Sequence, residues 1–358
     1  MEILNTYNFN QDIRNDILTN QKCCLFNYSI LKIINNNINI FIPEKGYSNN
    51  LKTSISFCAR NDNKINLLGV KKWENEFKDI HVEKGTWVLI GGYVVNNAGH
   101  VLGDEVYAAW QALSVFNLEK NNCNIITDNN GPHIKQYNCL TKNNIYHVSH
   151  FKNKKVSFEN LIIGMSRNGY AMVHNLNKRA SYLPPFIETF EAFRQHTYKI
   201  LDINENSDSF KNHKRNILIL NKGKNSLHKC FLYEIDKIQE TLKKRYQSHN
   251  VKKINWIGMN MREQVKEMAI ADIIISLPGS DLMNCIFLNP KSYIICINRF
   301  NNKLEIRGSN EISIWFKYTH KCIEISNVNK IIEKNILYSK VDINILLKII
   351  DKIILKIN

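Results

Sequence analysis

The chain has 358 residues, 44% of them hydrophobic and 22% charged, and a formal charge of +16 at pH 7. This length exceeds one ordinary core and suits two, and no apolar run approaches the roughly 18–20 residues of a membrane-spanning helix. The positive excess lies in scattered pairs such as Lys243, Lys244 and Lys252, Lys253, without the interleaved aromatics of a base-stacking platform, so nucleic-acid binding is the lesser reading.

The first 20 residues lack the apolar stretch of a signal peptide. The nine cysteines are odd in number and without C-x-x-C spacing, which indicates neither a disulfide framework nor a zinc site. A reducing, cytoplasmic setting is the expectation. Up to about residue 80 the chain reads as short apolar segments, Cys24 to Ile34 and Ile38 to Ile42, broken by Asn clusters, and predicts an irregular lead-in to the first domain. Trp87 to Ile90 then reads as a buried strand closed by Gly91 and Gly92, and Asn96 to Gly99 as a turn into a helix. In that helix Leu102, Val106, Ala109, Leu113 and Phe116 recur at spacings of four and three and form a core-facing stripe. His100, Asp104, Tyr107 and Gln111 fall on the opposite face, just beyond the carboxyl end of a strand, where open α/β sheets bind ligands.

Strand-like runs follow at Ile125 to Thr127 and Leu161 to Ile163, and a helical stretch from Pro185 to about Leu201 reads as the crossing between two halves. Beyond it strands and helices alternate: strand Ile217 to Leu220, helix face Leu232, Ile235, Ile238 and Leu242, strand Ile254 to Ile257, helix face Val265, Met268 and Ala269. A strand Ile273 to Leu277, a turn Pro278 to Asp281, a short helix Leu282 to Phe287 and a strand Tyr293 to Ile297 complete the series. This pattern predicts a parallel sheet in a Rossmann-like second domain. Finally Asp342 can cap a helix with an apolar face of Ile343, Leu346, Leu347, Ile350, Ile354 and Ile357. Lys348, Lys352 and Lys356 keep a membrane-surface role open, but without Trp or Phe as anchors a docked terminal helix is the better reading. The boundaries expected are residues 1–200, 201–330 and a docking helix in 331–358.

Three segments resemble one family. Asn97, His100 and Asp104 are similar to an Asn-x-x-His-x-x-x-Asp element, with Glu105 beside it. Phe158, the apolar run to Ile163, Gly164 and Ser166 resemble the element that closes that family's first domain. The longest match runs from Gln264 through Ala271, Asp272, Pro278, Gly279, Ser280, Asp281, Leu282 and Asn284 to Pro290. Together they resemble glycosyltransferase family sixty-one, in particular its protein O-mannose and extracellular O-linked N-acetylglucosaminyltransferase branches.

The resemblance implies an α/β protein of GT-B type, two Rossmann-like domains facing a central cleft, and inverting transfer from a nucleotide sugar, expected to be a UDP-sugar, to a glycan or glycoprotein hydroxyl. No metal or other cofactor is implied. The turn at Gly279 and Ser280, opening a short helix, suits a diphosphate, since free N–H groups point at the anion. Asn221, Lys222, Lys224, Gln264, Asp281 and Asn284 complete the expected donor set, and His100, Asp104 or Glu105 is the expected base. Three positions depart from the pattern. Pro278 stands where the family has His, Asn221 to Asn225 with Lys222, Lys224 and then Lys229 replace its arginines, and Cys296 replaces an acid. A catalytically inactive GT-B protein that binds a glycan or partner is therefore the alternative.

Overall fold

In a computed structural model the described residues are 11–15, 22–34, 37–43, 66–70, 80–92, 95–116, 118, 120–154, 156–163, 183–205, 214–222, 230–300, 306–307 and 321–357. The chain divides into two compact units, Met1–Met172 and Val173–Asn358.

The first unit is built on a mixed sheet. Strands β1 (Gln11–Asn15), β2 (Lys22–Ile34), β3 (Asn37–Pro43), β4 (Asn66–Val70), β5 (His81–Ile90), β6 (Asn124–Thr127), β7 (Ile145–His147) and β8 (Val156–Ile163) run in the order β4-β3-β2-β8-β5-β6-β7, with β1 paired to β2. β8, β5, β6 and β7 are parallel neighbours, whereas β2 is antiparallel to β1, β3 and β8. The irregular lead-in expected before residue 80 is thus corrected. β2 spans 13 residues and pairs on both sides, because backbone ladders, not an unbroken apolar run, satisfy a strand.

Helix α1 covers residues 98–115 in three parts: Ala98–His100, a π-helical segment Val101–Val106, and Tyr107–Val115. Asn97 caps it, accepting from Gly99 N–H at 3.0 Å. The predicted stripe of Leu102, Val106, Ala109, Leu113 and Phe116 is buried. Tyr107, placed on the opposite face by a 3.6-residue period, is buried as well. The π segment is the reason: Tyr107 N–H donates to Leu102 O, five residues back, so Tyr107 returns towards the face of Leu102 instead of passing it.

In the second unit β9 (Asn216–Leu220), β11 (Asn250–Ile254), β12 (Ile273–Ser276), β13 (Tyr293–Ile297) and β16 (Lys321–Ile325) form an all-parallel sheet in the order β11-β9-β12-β13-β16. Renumbered along the chain this is 2-1-3-4-5, a doubly wound order whose reversal falls between β9 and β12. The second strand is 250–254 instead of the expected 254–257. Lys252 and Lys253 stand side by side between buried Val251 and Ile254, which face opposite sides of the sheet, and both lysines are ion-paired, with Glu267 and Asp236.

Between the strands lie α2 (Leu183–Ile200), α3 (Ile235–Arg245) and α4 (Met261–Ala269), and α4 begins with a reciprocal Asn260–Glu263 capping box. The stretch read as the crossing between halves is α2, counted with the second unit. Leu232, expected on the face of α3, belongs instead to β10 (Cys230–Leu232), which joins β17 (Val328–Glu333) and β18 (Ile336–Val341) in a small sheet. β14 (Arg299–Phe300) and β15 (Ile306–Arg307) form a two-stranded ribbon.

The terminal helix α5 (Ile343–Ile357) is docked: Leu346, Ile350 and Ile353 are buried in the core of the parallel sheet, and Asp342 Oδ1 accepts from Asn344 N–H at 2.8 Å. Among the described residues no helix is long and apolar enough to cross a membrane.

α2 fixes the loop after β12. Following Gly279, a 3-10 helix Ser280–Phe287 ends in carbonyls that have no partner within the helix. Tyr198 Oη donates to Phe287 O, and Arg194 Nη1 donates to Leu288 O at 2.7 Å. The Tyr198→Phe variant leaves a buried carbonyl without its donor and is expected to lose about 1–2 kcal/mol of stability in urea unfolding.

Candidate functional site

The expected residues fall at two carboxyl edges, one in each unit. In the second unit the parallel order makes the ends of β9 and β12 neighbours. Asn221 extends the ladder, its N–H donating to Ile254 O at 2.8 Å, and Lys222 follows. Lys222 crosses to the neighbouring strand end, where its Nζ donates to Pro278 O at 3.1 Å.

The Lys222 side chain lies against Gly279. A β-carbon at Gly279 would sit 2.8 Å from Lys222 Nζ and 3.0 Å from Cε. A side chain at 279 would displace the tip of Lys222, an observation different from the sequence argument that glycine leaves room for phosphate. Lys222 is only 8% exposed. Burial first, and then the field of Arg299, pull its ammonium down to about 8, against the opposing pull of Asp281.

Ser280 and Asp281 are half-buried at the start of the 3-10 helix, and Leu282 N–H bonds Gly279 O at 3.1 Å. Gln264 and Asn284 form a strut. Asn284 Nδ2 donates to Gln264 Oε1 at 2.9 Å, and Gln264 Nε2 donates to Met259 O at 2.9 Å. This links the 3-10 helix, α4 and the loop after β11, so Gln264 positions the turn by two bonds within the protein. Lys224 and Lys229 lie outside the described residues. Cys296 is buried in β13.

In the first unit His100 is half-buried at the last residue before the π segment. The side chain of Asp104 is outside what the structure describes. Glu105 points inward and is 0% exposed. Its Oε2 accepts from Asn129 Nδ2 at 2.9 Å and from Tyr137 Oη. Burial and the adjacent carboxylate hold the Tyr137 phenol well above its ordinary range, so it remains a donor.

Asn129 is the hub of this edge. Its N–H donates to Thr127 Oγ1 at 3.0 Å and its Oδ1 accepts from Gly131 N–H at 2.8 Å. Next to it Asp128 Oδ1 accepts from Gly92 N–H at 2.5 Å. Burial holds the Asp128 carboxyl above the usual carboxylate range, against that hydrogen bond and the field of His147. The ends of β5, β6 and β7 thus supply Gly92, Asp128 and His147 to one carboxyl edge. Sequence reasoning passed over Asp128, although its place one residue past a buried strand was a usable signal.

A parallel sheet of order 2-1-3-4-5 with a buried lysine at its point of reversal is of the Rossmann-like α/β class, with a carboxyl edge able to receive an anion. The model of the family Glycosyltransferase 61 matches residues 99–295, more than half of the 358-residue chain. The chain belongs to that family. No curated protein matches it. The matched span includes His100 and Glu105 as well as Lys222 and Gly279.

The Glu105 network makes an expected outcome specific. Glu105→Leu takes the acceptor from the buried Asn129 amide and leaves the Tyr137 hydroxyl only its 3.3 Å contact with Thr127 Oγ1, and should destabilise the protein by about 2–3 kcal/mol. Adding Tyr137→Phe should recover part of that loss in a urea double-mutant cycle, and simple additivity of the two changes would contradict the network.

Proposed function

We propose that the protein is an inverting glycosyltransferase of GT-B type that uses a nucleotide sugar, UDP-linked, and transfers the sugar to a glycan or protein hydroxyl. The observation that carries this is the buried Lys222 ammonium held on Pro278 O beside Gly279, at the point of strand-order reversal, in a chain of the Glycosyltransferase 61 family. An ammonium kept out of water without a carboxylate hydrogen-bonded to it is costly in isolation, and a diphosphate would offset that cost. The departing diphosphate is the group whose developing charge must be neutralised in such a transfer. Metal independence and the GT-B arrangement rest on the family resemblance.

On the acceptor side the base is assigned to the start of α1, to His100 or Asp104. Glu105, deep and doubly hydrogen-bonded, is a positioning residue that braces the Asn129 turn. The second reading is a non-catalytic member that binds without turnover. It is favoured by Pro278, which offers Lys222 a carbonyl but brings no titratable side chain of its own to the turn.

UDP should raise the melting temperature of the full chain, and Lys222→Met should abolish that rise. No stabilisation by any nucleoside diphosphate would defeat the donor reading. UDP release from UDP-N-acetylglucosamine or another UDP-sugar that is lost in His100→Ala supports the enzyme, whereas binding without release supports the second reading.

The lysine also sets a pH dependence. Its pKa in the folded chain, about 8, lies below the ordinary 10.5. Below pH 8 both folded and unfolded chains carry the proton, and the folded state bears the full penalty of about 3 kcal/mol. Between 8 and 10.5 the unfolded chain binds more protons, so stability rises with pH and the penalty fades. Lys222→Met should therefore be more stable than the wild type at pH 7, with the gap closing towards pH 10.5. UDP affinity should move the other way, weakening by at most about tenfold per pH unit above 8 as the ammonium is lost.

A further inference from the structure

The loop that leaves β11 shares the carboxyl edge where Lys222 lies, and it carries a tryptophan whose polar atom the fold leaves unsatisfied. β11 and β9 are parallel with Ile254 opposite Leu220, and Asn221 N–H, donating to Ile254 O at 2.8 Å, carries the pairing one residue beyond β9. The same loop is tied to the helix that follows Gly279, since Gln264 Nε2 donates to Met259 O and Asn284 Nδ2 to Gln264 Oε1, each at 2.9 Å. Residues 255–260 are thus joined by hydrogen bonds to both segments that flank the Lys222 ammonium.

Within this loop the chain turns on itself. Met259 N–H donates to Trp256 O at 3.2 Å, Ile257 N–H donates to Asn255 Oδ1 at 3.0 Å, and Gly258 has a φ of 85°, a left-handed conformation suited to glycine. Two large apolar side chains stand side by side on the turn: Ile257 is 69% exposed and Trp256 is half-buried. Trp256 Nε1 is buried and has no hydrogen-bond partner among the described residues, and no aromatic ring among them stacks on the indole. An N–H shut away from water without an acceptor costs stability, and a phenylalanine would fill a half-buried place without that cost. Packing alone therefore does not account for an indole at this position.

We propose that Trp256 stacks on the nucleobase of the donor nucleotide, with Ile257 beside it, while Lys222 holds the diphosphate. The proposal rests on the donor-binding reading of the second unit and assigns to it a residue that the sequence motifs do not contain.

A nucleotide offers such an edge two chemically different ends. Its diphosphate is anionic and suits an ammonium, whereas its base is a flat π-surface that gains by stacking on an aromatic ring. The strand order separates the two receivers in the same way. β12 and β11 lie on either side of β9, so their ends are about 10 Å apart, which leaves room for a ribose between them. Ligands of doubly wound sheets lie in the crevice outside the carboxyl ends of these strands. Stacking is tolerant of the base it meets, so Trp256 supplies affinity for a base and does not by itself select uracil.

The test is calorimetric titration of the full chain with UDP and inorganic pyrophosphate, in wild type, Trp256→Ala and Trp256→Phe. Trp256→Ala should weaken UDP by about tenfold or more and leave pyrophosphate unchanged, because only UDP has a base to lose. Trp256→Phe keeps a ring and should stay within about threefold of wild type for UDP. It should also remove most of the quenching of tryptophan emission that UDP, but not pyrophosphate, produces in the wild type.

Equal losses of UDP and pyrophosphate in Trp256→Ala would mean that the side chain only supports the loop, and unchanged UDP affinity would mean that it does not meet the base. Either result overturns the proposal and leaves the donor reading standing. Absence of both UDP and pyrophosphate binding in the wild type would instead remove the donor reading, and the part of Trp256 with it. Should Trp256→Ala not fold, as judged by its melting transition, Trp256→Phe decides: quenching by UDP as strong as in the wild type overturns the proposal.

Discussion

A lysine ammonium drawn out of water onto a main-chain carbonyl is the constraint from which the second unit's carboxyl edge is built. Lys222 reaches Pro278 O because β9 and β12 are adjacent, and its tip occupies the space that a side chain at position 279 would enter. The turn it meets is held from three other directions. α2 binds the far end of the 3-10 helix through Tyr198 and Arg194, the Gln264–Asn284 strut binds its near side, and the ladder bond from Asn221 to Ile254 fixes the start of the lysine's own loop. Each of these satisfies a polar group that burial would otherwise penalise. The result is an edge whose turn is tied to α2, α4 and β11, with a buried ammonium at its centre.

The two edges use buried polar groups in opposite ways. In the first unit the buried charge is a carboxylate, and it is satisfied internally: Glu105 takes hydrogen bonds from Asn129 and Tyr137, and through Asn129 it steadies the Thr127–Gly131 turn. In the second unit the buried charge is an ammonium that donates to a main-chain carbonyl and feels the opposing fields of Arg299 and Asp281. Fully satisfied networks specify a conformation, whereas a partly compensated one invites a ligand. That contrast separates the bracing contacts of Glu105 from the binding role proposed for Lys222, although family resemblance alone placed both among functional candidates.

Much of the second unit was legible because its strands are short, wholly apolar and punctuated: Ile217 to Leu220, Ile273 to Leu277 and Tyr293 to Ile297 all fall where the pattern put them. The capped and docked terminal helix was legible for the same reason, a broad apolar face behind Asp342. What escaped was structure whose signal is not local. β10 has three residues and looks like the first turn of the helix after it, and its pairing with β18 is invisible until the distant strand is in place. β11 was misplaced because two consecutive lysines interrupt its apolar residues, and the carboxylates that pair with them lie on α3 and α4. Trp256 could not be found by motif at all, since it comes to the edge of Lys222 only through the order of strands in the sheet.

The helix of residues 98–115 shows how a correct periodicity can still misassign a face. Its core stripe was read properly, because Leu102 and Val106 are compatible with either winding, but the residues counted outward from the stripe inherit any change of pitch. Wider π winding over Val101–Val106 returns Tyr107 to the interior, and it does so at the position where Glu105 must reach Asn129 and Tyr137. An ordinary α-turn would hold its i→i−4 bonds more regularly. The looser segment persists because the carboxylate network and the buried Tyr107 and Trp110 rings are gained together, and the half-buried His100 is set at the last residue before the widening begins. The local irregularity is thus the means by which one helix faces the core along most of its length while its first turn carries a titratable side chain at the carboxyl edge of the sheet.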